Sequence, residues 1–343
     1  MLWLIGIGIH GFKGLSLYAI DTLKNVDIIL LEKYTTPIEE DLKILEDIIG
    51  KEVKKVNRWY IEDGREILEL AKSKNIALLA YGDPLIATTH IDLVIRAREA
   101  NIDVKTIHNA SAITAIIGEV GLHIYKLGKI STMVRDKNAN RSIYKIIYNN
   151  LLEGLHTLLL LEYDQEHDFF LDPRDALKYL LEFEDEFKHN IINKDTFVII
   201  ASRVGIDDSI YAGKLGSLLK QDFGKPPHSI IITGSLHFTE EDAIKHLNLL
   251  DKPSDNTKDI KNRAEQMVTK YIPKALKALE KAKNISLEGF DTSSLLDNAE
   301  RYIRDAEWFL DKKEYELSIL SIGYGEGLLD ALGYLKGIDL WKD

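Results

Sequence analysis

The sequence predicts an α/β protein with a C-terminal bundle of helices, and three observations predict it. Over the first 110 residues short apolar runs alternate with helical periodicity, the signature of βαβ units with a mostly parallel sheet covered by helices on both faces. Apolar runs resume at 157–161, 197–201 and 229–233, which marks a second α/β domain over about 120–250. Beyond a polar, turn-forming segment at 251–257 no strand pattern remains, and apolar residues recur at spacings of three and four.

In order along the chain, strands are expected at 2–7, 26–31, 76–80 and 102–107, and helices at 13–24, 37–49, 61–73 and 89–100. Runs 28–31 and 78–79 are apolar on consecutive positions, as strands buried on both faces are. The first nine residues have no basic leader region and no small-residue cleavage site, so they read as a strand, not a signal peptide. There is no run of 18 apolar residues to span a membrane. In the tail, Leu276 and Leu279, then Leu295, Leu296, Ala299, Ile303 and Ala306, then Leu317, Leu320, Leu328 and Leu332 define three helices, with a stop at Gly289 and a start at Asp291. Gly323, Gly325 and Gly327 each weaken a helix by roughly 1 kcal/mol relative to Ala, so close packing or a kink is expected there.

At 343 residues and 45% hydrophobic content the chain is long enough for two or three cores. The absence of Cys removes disulfides, thiolate nucleophiles and Cys-ligated metals, and fits a cytoplasmic protein. The ten His residues are scattered, with no His-x-x-x-His pair, so no metal site is expected. A net charge of −11 argues against non-specific nucleic-acid binding. Residues 258–343 carry 14 basic and 16 acidic residues, leaving 30 against 39 for residues 1–257, so the acidity belongs to the α/β part. Within the tail, 258–283 holds eight basic and three acidic residues, a local +5 that suits an RNA, an acidic protein or a solvated helix face.

Two motifs compete for the ligand. The stretch Gly82-Asp83-Pro84-Leu85-Ile86-Ala87-Thr88-Thr89-His90 follows a strand and opens a helix, without one Lys, Arg or Glu. Ligands of open α/β sheets sit beyond such strand ends, and the Thr hydroxyls are expected to cap the helix. Gly6-Ile7-Gly8-Ile9-His10-Gly11, with Glu32 ending the second strand, matches a dinucleotide fingerprint. That reading makes the protein a nicotinamide- or flavin-dependent oxidoreductase with Glu32 on a ribose hydroxyl. Close backbone approach explains the same glycines, and pairing with a Lys explains Glu32 equally.

Five motifs in register, Gly6-Ile7-Gly8-Ile9, Gly82 to His90, Gly121-Leu122-His123-Ile124-Tyr125-Lys126-Leu127-Gly128-Lys129, Gly154-Leu155-His156-Thr157-Leu158 and Asp222-Phe223-Gly224-Lys225-Pro226-Pro227-His228, resemble the archaeal diphthine synthases. Gly-Asp-Pro-Leu with Ala-Thr-Thr-His is more typical of these than of other tetrapyrrole methylases, the alternative within the superfamily. The resemblance implies α/β domains at 1–115 and 116–250 with S-adenosylmethionine in the cleft between them, a linker at 251–257 and a helical domain at 258–343. It also implies a homodimer that trimethylates the amino group of a 3-amino-3-carboxypropyl-histidine on elongation factor 2. By motif match it carries the cofactor contacts onto Ile9, Asp83, Ile86, Ser111, Ala112, Leu161, Val204 and His228.

Each of these residues also reads physically. Asp83 is an acceptor for an amine or hydroxyl, Ile9, Ile86 and Leu161 can wall an adenine or methionyl chain, and Ser111 starts a helix that can meet a carboxylate. The chain departs from the family pattern at Asn109-Ala110-Ser111-Ala112, where relatives have Ala-Pro-Ser-Ile, and that departure also admits an inactive binding module. The polar segment 135–142 is expected to face the protein substrate. No general base is assigned: His90, His123, His228 and water all suit the chemistry. The tail resembles a helical domain of unknown function and is expected to be dispensable for methylation.

Overall fold

The computed structural model describes residues 1–34, 41–164, 167–258, 260–287 and 291–342, with the side chain of Arg263 excepted. The first half runs β1 (Leu2–Gly6), α1 (Leu17–Asn25), β2 (Ile28–Glu32), α2 (Leu42–Ile49), β3 (Lys54–Val56), α3 (Arg58–Asp63), α4 (Arg65–Ala71), β4 (Ile76–Ala80), α5 (His90–Glu99) and β5 (Val104–Ile107). Its strands form one parallel sheet in the order β3-β2-β4-β1-β5. All five residues of β4 are buried, as its central place between β2 and β1 requires. Helices α1 and α2 cover one face, packing on Ile5, Ile29 and Leu79. Helices α3, α4 and α5 cover the other, on Leu4, Leu30 and Leu78.

Differences from the sequence reading have local causes. The helix expected over 13–24 begins at Leu17, because residues 11–14 form a tight 3-10 turn and Ser16 caps α1 by accepting from Ala19 N at 3.1 Å. The helix expected over 61–73 is two: Gly64 sits at φ +62, and a Cβ there would lie 2.9 Å from Leu93 Cδ1 and Arg96 Nη2. Strand β3 escaped notice because it is a three-residue edge with two exposed lysines. Helix α2 starts at Leu42 with Asp41 as its cap; positions 37–40 of the expected helix lie outside the described residues, as does the Gly289 stop.

The second half continues with α6 (Ala112–Glu119), β6 (Ser131–Met133), α7 (Arg141–Leu152), β7 (Thr157–Leu161), β8 (Tyr163–Asp164), β9 (Phe169–Phe170), α8 (Pro173–Phe187), β10 (Phe197–Ser202), β11 (Ser209–Lys214), α9 (Leu215–Leu218), β12 (His228–Ile232), α10 (Phe238–Ile244) and β13 (Asn248–Leu249). Its main sheet is mixed, in the order β13-β11-β10-β12-β7-β6, with β10 antiparallel to both neighbours. Helix α6 crosses the division at 115/116: Ala112 and Ala115 pack against the core beside the first sheet and against the core under the second. Residues 251–257 are tied to the second sheet. Asp251 Oδ2 accepts from Lys214 N at 2.9 Å, and Asn256 bonds Phe197 N, Phe197 O and Thr233 O, each at 2.8 Å.

The chain divides into two compact units, residues 1–260 and 261–343. The second holds α11 (Arg263–Ala282), α12 (Ser293–Asp311) and α13 (Tyr315–Lys336) around a core that includes Ala275, Leu279, Ala299, Ile303, Leu329 and Leu332. Leu317 and Leu320 are 43% and 56% exposed, so they do not join it. Of the three expected glycines only Gly325 sits in a close contact, where a Cβ would lie 3.1 Å from Ile303 Cγ1; Gly323 and Gly327 face open space. Among the described residues no helix is long and apolar enough to cross a membrane.

Candidate active site

Because β1, β4 and β5 are neighbours in a parallel sheet, the loops that follow them lie side by side. The first two are stitched together by a reciprocal pair, Gly8 N to Gly82 O at 3.1 Å and Gly82 N to Gly8 O at 2.9 Å. Both glycines have φ near +70 (+75 and +66), open to residues without a Cβ. The third loop is locked on by Asn109, whose Nδ2 donates to Gly6 O at 3.0 Å and to Gly14 O at 2.9 Å. The departure at 109–112 thus supplies a brace between loops.

Asp83 completes the brace. It is 5% exposed; its Oδ1 accepts from Leu85 N at 2.9 Å, and its Oδ2 accepts from His108 Nδ1 at 2.8 Å and Asn109 N at 3.2 Å. The Thr residues expected to cap α5 do otherwise: Thr89 makes no capping bond, and Thr88 Oγ1 donates to Pro84 O at 2.5 Å.

A cavity of about 440 Å3 lies between these loops and the ends of β7, β10 and β12, within the roughly 300–1,000 Å3 of small-molecule sites. Seven of the eight expected contacts line it: Asp83, Ile86, Ser111, Ala112, Leu161, Val204 and His228. Ile9 is not in the lining. It is 6% exposed behind the wall, where a Cβ on Gly205 would lie 2.7 Å from its Cδ1, and its carbonyl accepts from Tyr81 Oη at 2.7 Å. Ser111 also caps α6, its Oγ accepting from Ile113 N at 3.3 Å. Tyr34, Arg58, Glu162 and Arg203 line the cavity too and were missed. Arg203 and Tyr34 each follow a strand end by one or two residues, which was a usable signal.

Residues 1–219 match the family described as tetrapyrrole (corrin/porphyrin) methylases. Over 254 residues the chain is 38% identical to the diphthine synthase of Methanocaldococcus jannaschii, covering 72% of this chain and 98% of that one. The chain belongs to the diphthine synthase family of these methylases. It is an S-adenosylmethionine-dependent methyltransferase. A second diphthine synthase, from Methanococcus aeolicus, is 37% identical over 252 residues, again 72% of this chain and 98% of that one. The crystal structure of a putative diphthine synthase from Entamoeba histolytica superposes with a TM-score of 0.66 at 33% identity, covering 72% of this chain and 98% of that one. Residues 270–338 match a family described only as a protein of unknown function.

In this diphthine synthase fold the dinucleotide reading fails on geometry. Gly6 and Gly8 face protein atoms, since a Cβ on Gly6 would lie 2.5 Å from Gly82 O and one on Gly8 2.9 Å from Asn109 Oδ1. Glu32 is 1% exposed with His90 Nε2 2.9 Å from its Oε2, which leaves it unavailable to a ribose. His90 is itself 1% exposed.

The other two candidate bases part company. His228 lines the cavity, 4% exposed, with Nδ1 2.9 Å from Ser202 Oγ; burial pulls its pKa down to about 4, so the ring is neutral near pH 7. His123 lies away from the cavity, at the carboxylate of Glu240. That buried Glu240 accepts from His123 N at 2.8 Å, His237 N at 2.8 Å, Lys126 Nζ at 2.7 Å and His156 Nε2 at 3.0 Å. Burial alone would raise its carboxyl, but these donors hold it at about 2. The motifs at 121–129 and 154–158 thus meet at a structural anchor outside the cavity. In segment 135–142 the cations are engaged: Arg135 with Glu162 and Asp164, Lys137 with Glu182, and Arg141 with Glu186.

Proposed function

We propose that this cavity holds S-adenosylmethionine and presents it to the amino group of a 3-amino-3-carboxypropyl-histidine on elongation factor 2, which the protein trimethylates. The observation that carries this reading is that seven residues assigned by motif from distant parts of the sequence line one cavity of suitable volume. The lining suits the group. Ile86, Leu161, Val204 and Ala201 give apolar walls, Ser111 marks a helix N-terminus, and Arg58 and Arg203 border the cavity as ion pairs with Glu62 and Asp207.

When bound, S-adenosylmethionine supplies an electrophilic methyl group. The protein needs no nucleophile of its own. Its tasks are to hold the amine about 3–3.5 Å from that carbon, keep it uncharged and exclude water. Rigid loops serve the first task, and the Asp83 and Asn109 bonds make these loops rigid. The family resemblance supports a cytoplasmic homodimer as the acting form, and supports a tail that methylation does not require.

The test is mass spectrometry of elongation factor 2 bearing the aminocarboxypropyl histidine, after incubation with the purified chain and S-adenosylmethionine. Three added methyl groups are expected. Four, or none, overturns the trimethylation reading.

A further inference from the structure

Three ionisable side chains, Tyr34 in the cavity lining with His90 and Glu32 in contact behind it, have no part in the site so far described. Glu32 ends β2, Tyr34 follows it, and His90 opens α5. Glu32 and His90 are each 1% exposed. His90 Nδ1 is 2.8 Å from Pro84 O, and since a carbonyl only accepts, Nδ1 carries a hydrogen. Its Nε2 then faces two partners, Glu32 Oε2 at 2.9 Å and Tyr34 Oη at 3.1 Å. A carboxylate this deep favours a positive charge on its neighbour, and His90 is the group placed to carry that charge when it takes up a proton.

The cluster also borders two cavities. Tyr34 and Thr89 line the large cavity. His90 and Thr89 line a second cavity of about 190 Å3, together with Glu62, Asp92 and Arg96. A polar path therefore joins the large cavity to a small one rimmed by two carboxylates.

We propose that Tyr34, with His90 and Glu32 behind it, is the route by which protons leave the substrate amine. The inference rests on the amine methylation proposed above, because an ammonium must lose a proton before it can attack, once for each methyl group gained. The amine N–H bond breaks and its proton goes to Tyr34 Oη, while the Tyr34 O–H proton passes to Nε2 of the neutral His90 ring, whose Nδ1 hydrogen stays on the Pro84 carbonyl, and the Glu32 carboxylate balances the imidazolium that forms. The pair then releases one proton to water in the small cavity, and every group regains its starting state. Tyr34 is the catalytic residue of the three; Glu32 and His90 are positioning residues that act through it.

The surroundings agree with a relay. Burial and the Glu32 charge raise the Tyr34 phenol, so it hands protons on without resting as a phenolate. Burial lowers His90, but Glu32 and the Pro84 carbonyl together hold it above its ordinary value. The other charged groups facing the cluster are paired: Arg58, 5.9 Å over the Tyr34 ring, with Glu62, and Arg96 with Asp92.

The test compares wild type, Tyr34→Phe and Glu32→Gln as full chains. Single-turnover methylation is followed from about pH 6 to pH 9, cofactor affinity by calorimetry, and the His90 ring by NMR in the cofactor-free protein. In Tyr34→Phe the rate near pH 7 is expected to fall about 10²-fold, the deficit closing as alkali deprotonates the amine directly, with cofactor affinity unchanged. In Glu32→Gln the His90 ring should titrate at lower pH than in wild type. A Tyr34→Phe deficit that is absent, or equal at every pH, overturns the relay, and so does an unmoved His90 titration. A wild-type chain that methylates no amine at any pH overturns the functional reading beneath it, a result distinct from these.

Discussion

Replacing Asp83 by Ala tests whether the loop is braced as described. The substitution removes the acceptor for Leu85 N, Asn109 N and His108 Nδ1. His108 is 66% exposed on its side chain, so water replaces its partner and that loss is small. The two main-chain N–H groups belong to a loop whose carboxylate is 5% exposed, and a buried donor left unsatisfied costs about 1–3 kcal/mol. Both bonds are only part-buried, so each loss falls in the lower half of that range, and the expected destabilisation of the α/β unit is about 2–4 kcal/mol, a factor of roughly 30 to 10³ in its folding equilibrium. Urea unfolding at constant m-value measures it. Calorimetry on the folded variant should show S-adenosylmethionine binding at least tenfold weaker, since the walls at Ile86 and Ser111 are no longer held in register. A loss of stability under about 1 kcal/mol with unchanged affinity refutes the bracing argument; Asp83→Asn, which keeps the Leu85 acceptor, should fall between the two.

Stability should also fall from pH 7 to pH 5 through His228. Its folded pKa of about 4 lies below the ordinary 6.5, so its contribution is present above pH 6.5 and is lost as pH falls towards 4, a full span of roughly 3 kcal/mol of which about 2 lies above pH 5. His156, also lowered, acts with the same sign, whereas His90, raised, acts with the opposite one. In His228→Gln the drop measured by urea unfolding at pH 7 and pH 5 should shrink by about 2 kcal/mol, and an undiminished drop contradicts the assignment. For the tail, deletion of 261–343 is expected to leave methylation intact. Deletion of 256–343 should lower the stability of the α/β unit, because Asn256 holds both Phe197 and Thr233, and equal melting of the two truncations speaks against that anchor.

Sequence alone determined a good deal. Short continuous apolar runs marked β1, β2, β4, β5, β7, β10 and β12 within one or two residues, and the loss of strand pattern after residue 250 marked the helical tail. Motif order gave seven of the cavity residues. These are legible because burial imposes a local periodicity or residue type that one stretch of chain displays by itself.

Tertiary structure decided the rest, and in each case the deciding partner is far away in sequence. Gly6-x-Gly8 looks like a phosphate loop until Gly82 and Asn109 are seen filling the space a phosphate would take. Glu32 and His90 lie 58 positions apart, and only the parallel pairing of β2 with β4 brings the end of one against the loop after the other. His123, which suits a base by chemistry alone, belongs to a carboxylate 117 residues away. Charge and hydrogen-bonding capacity are written in the sequence, but what they are spent on depends on which strand ends the topology makes neighbours.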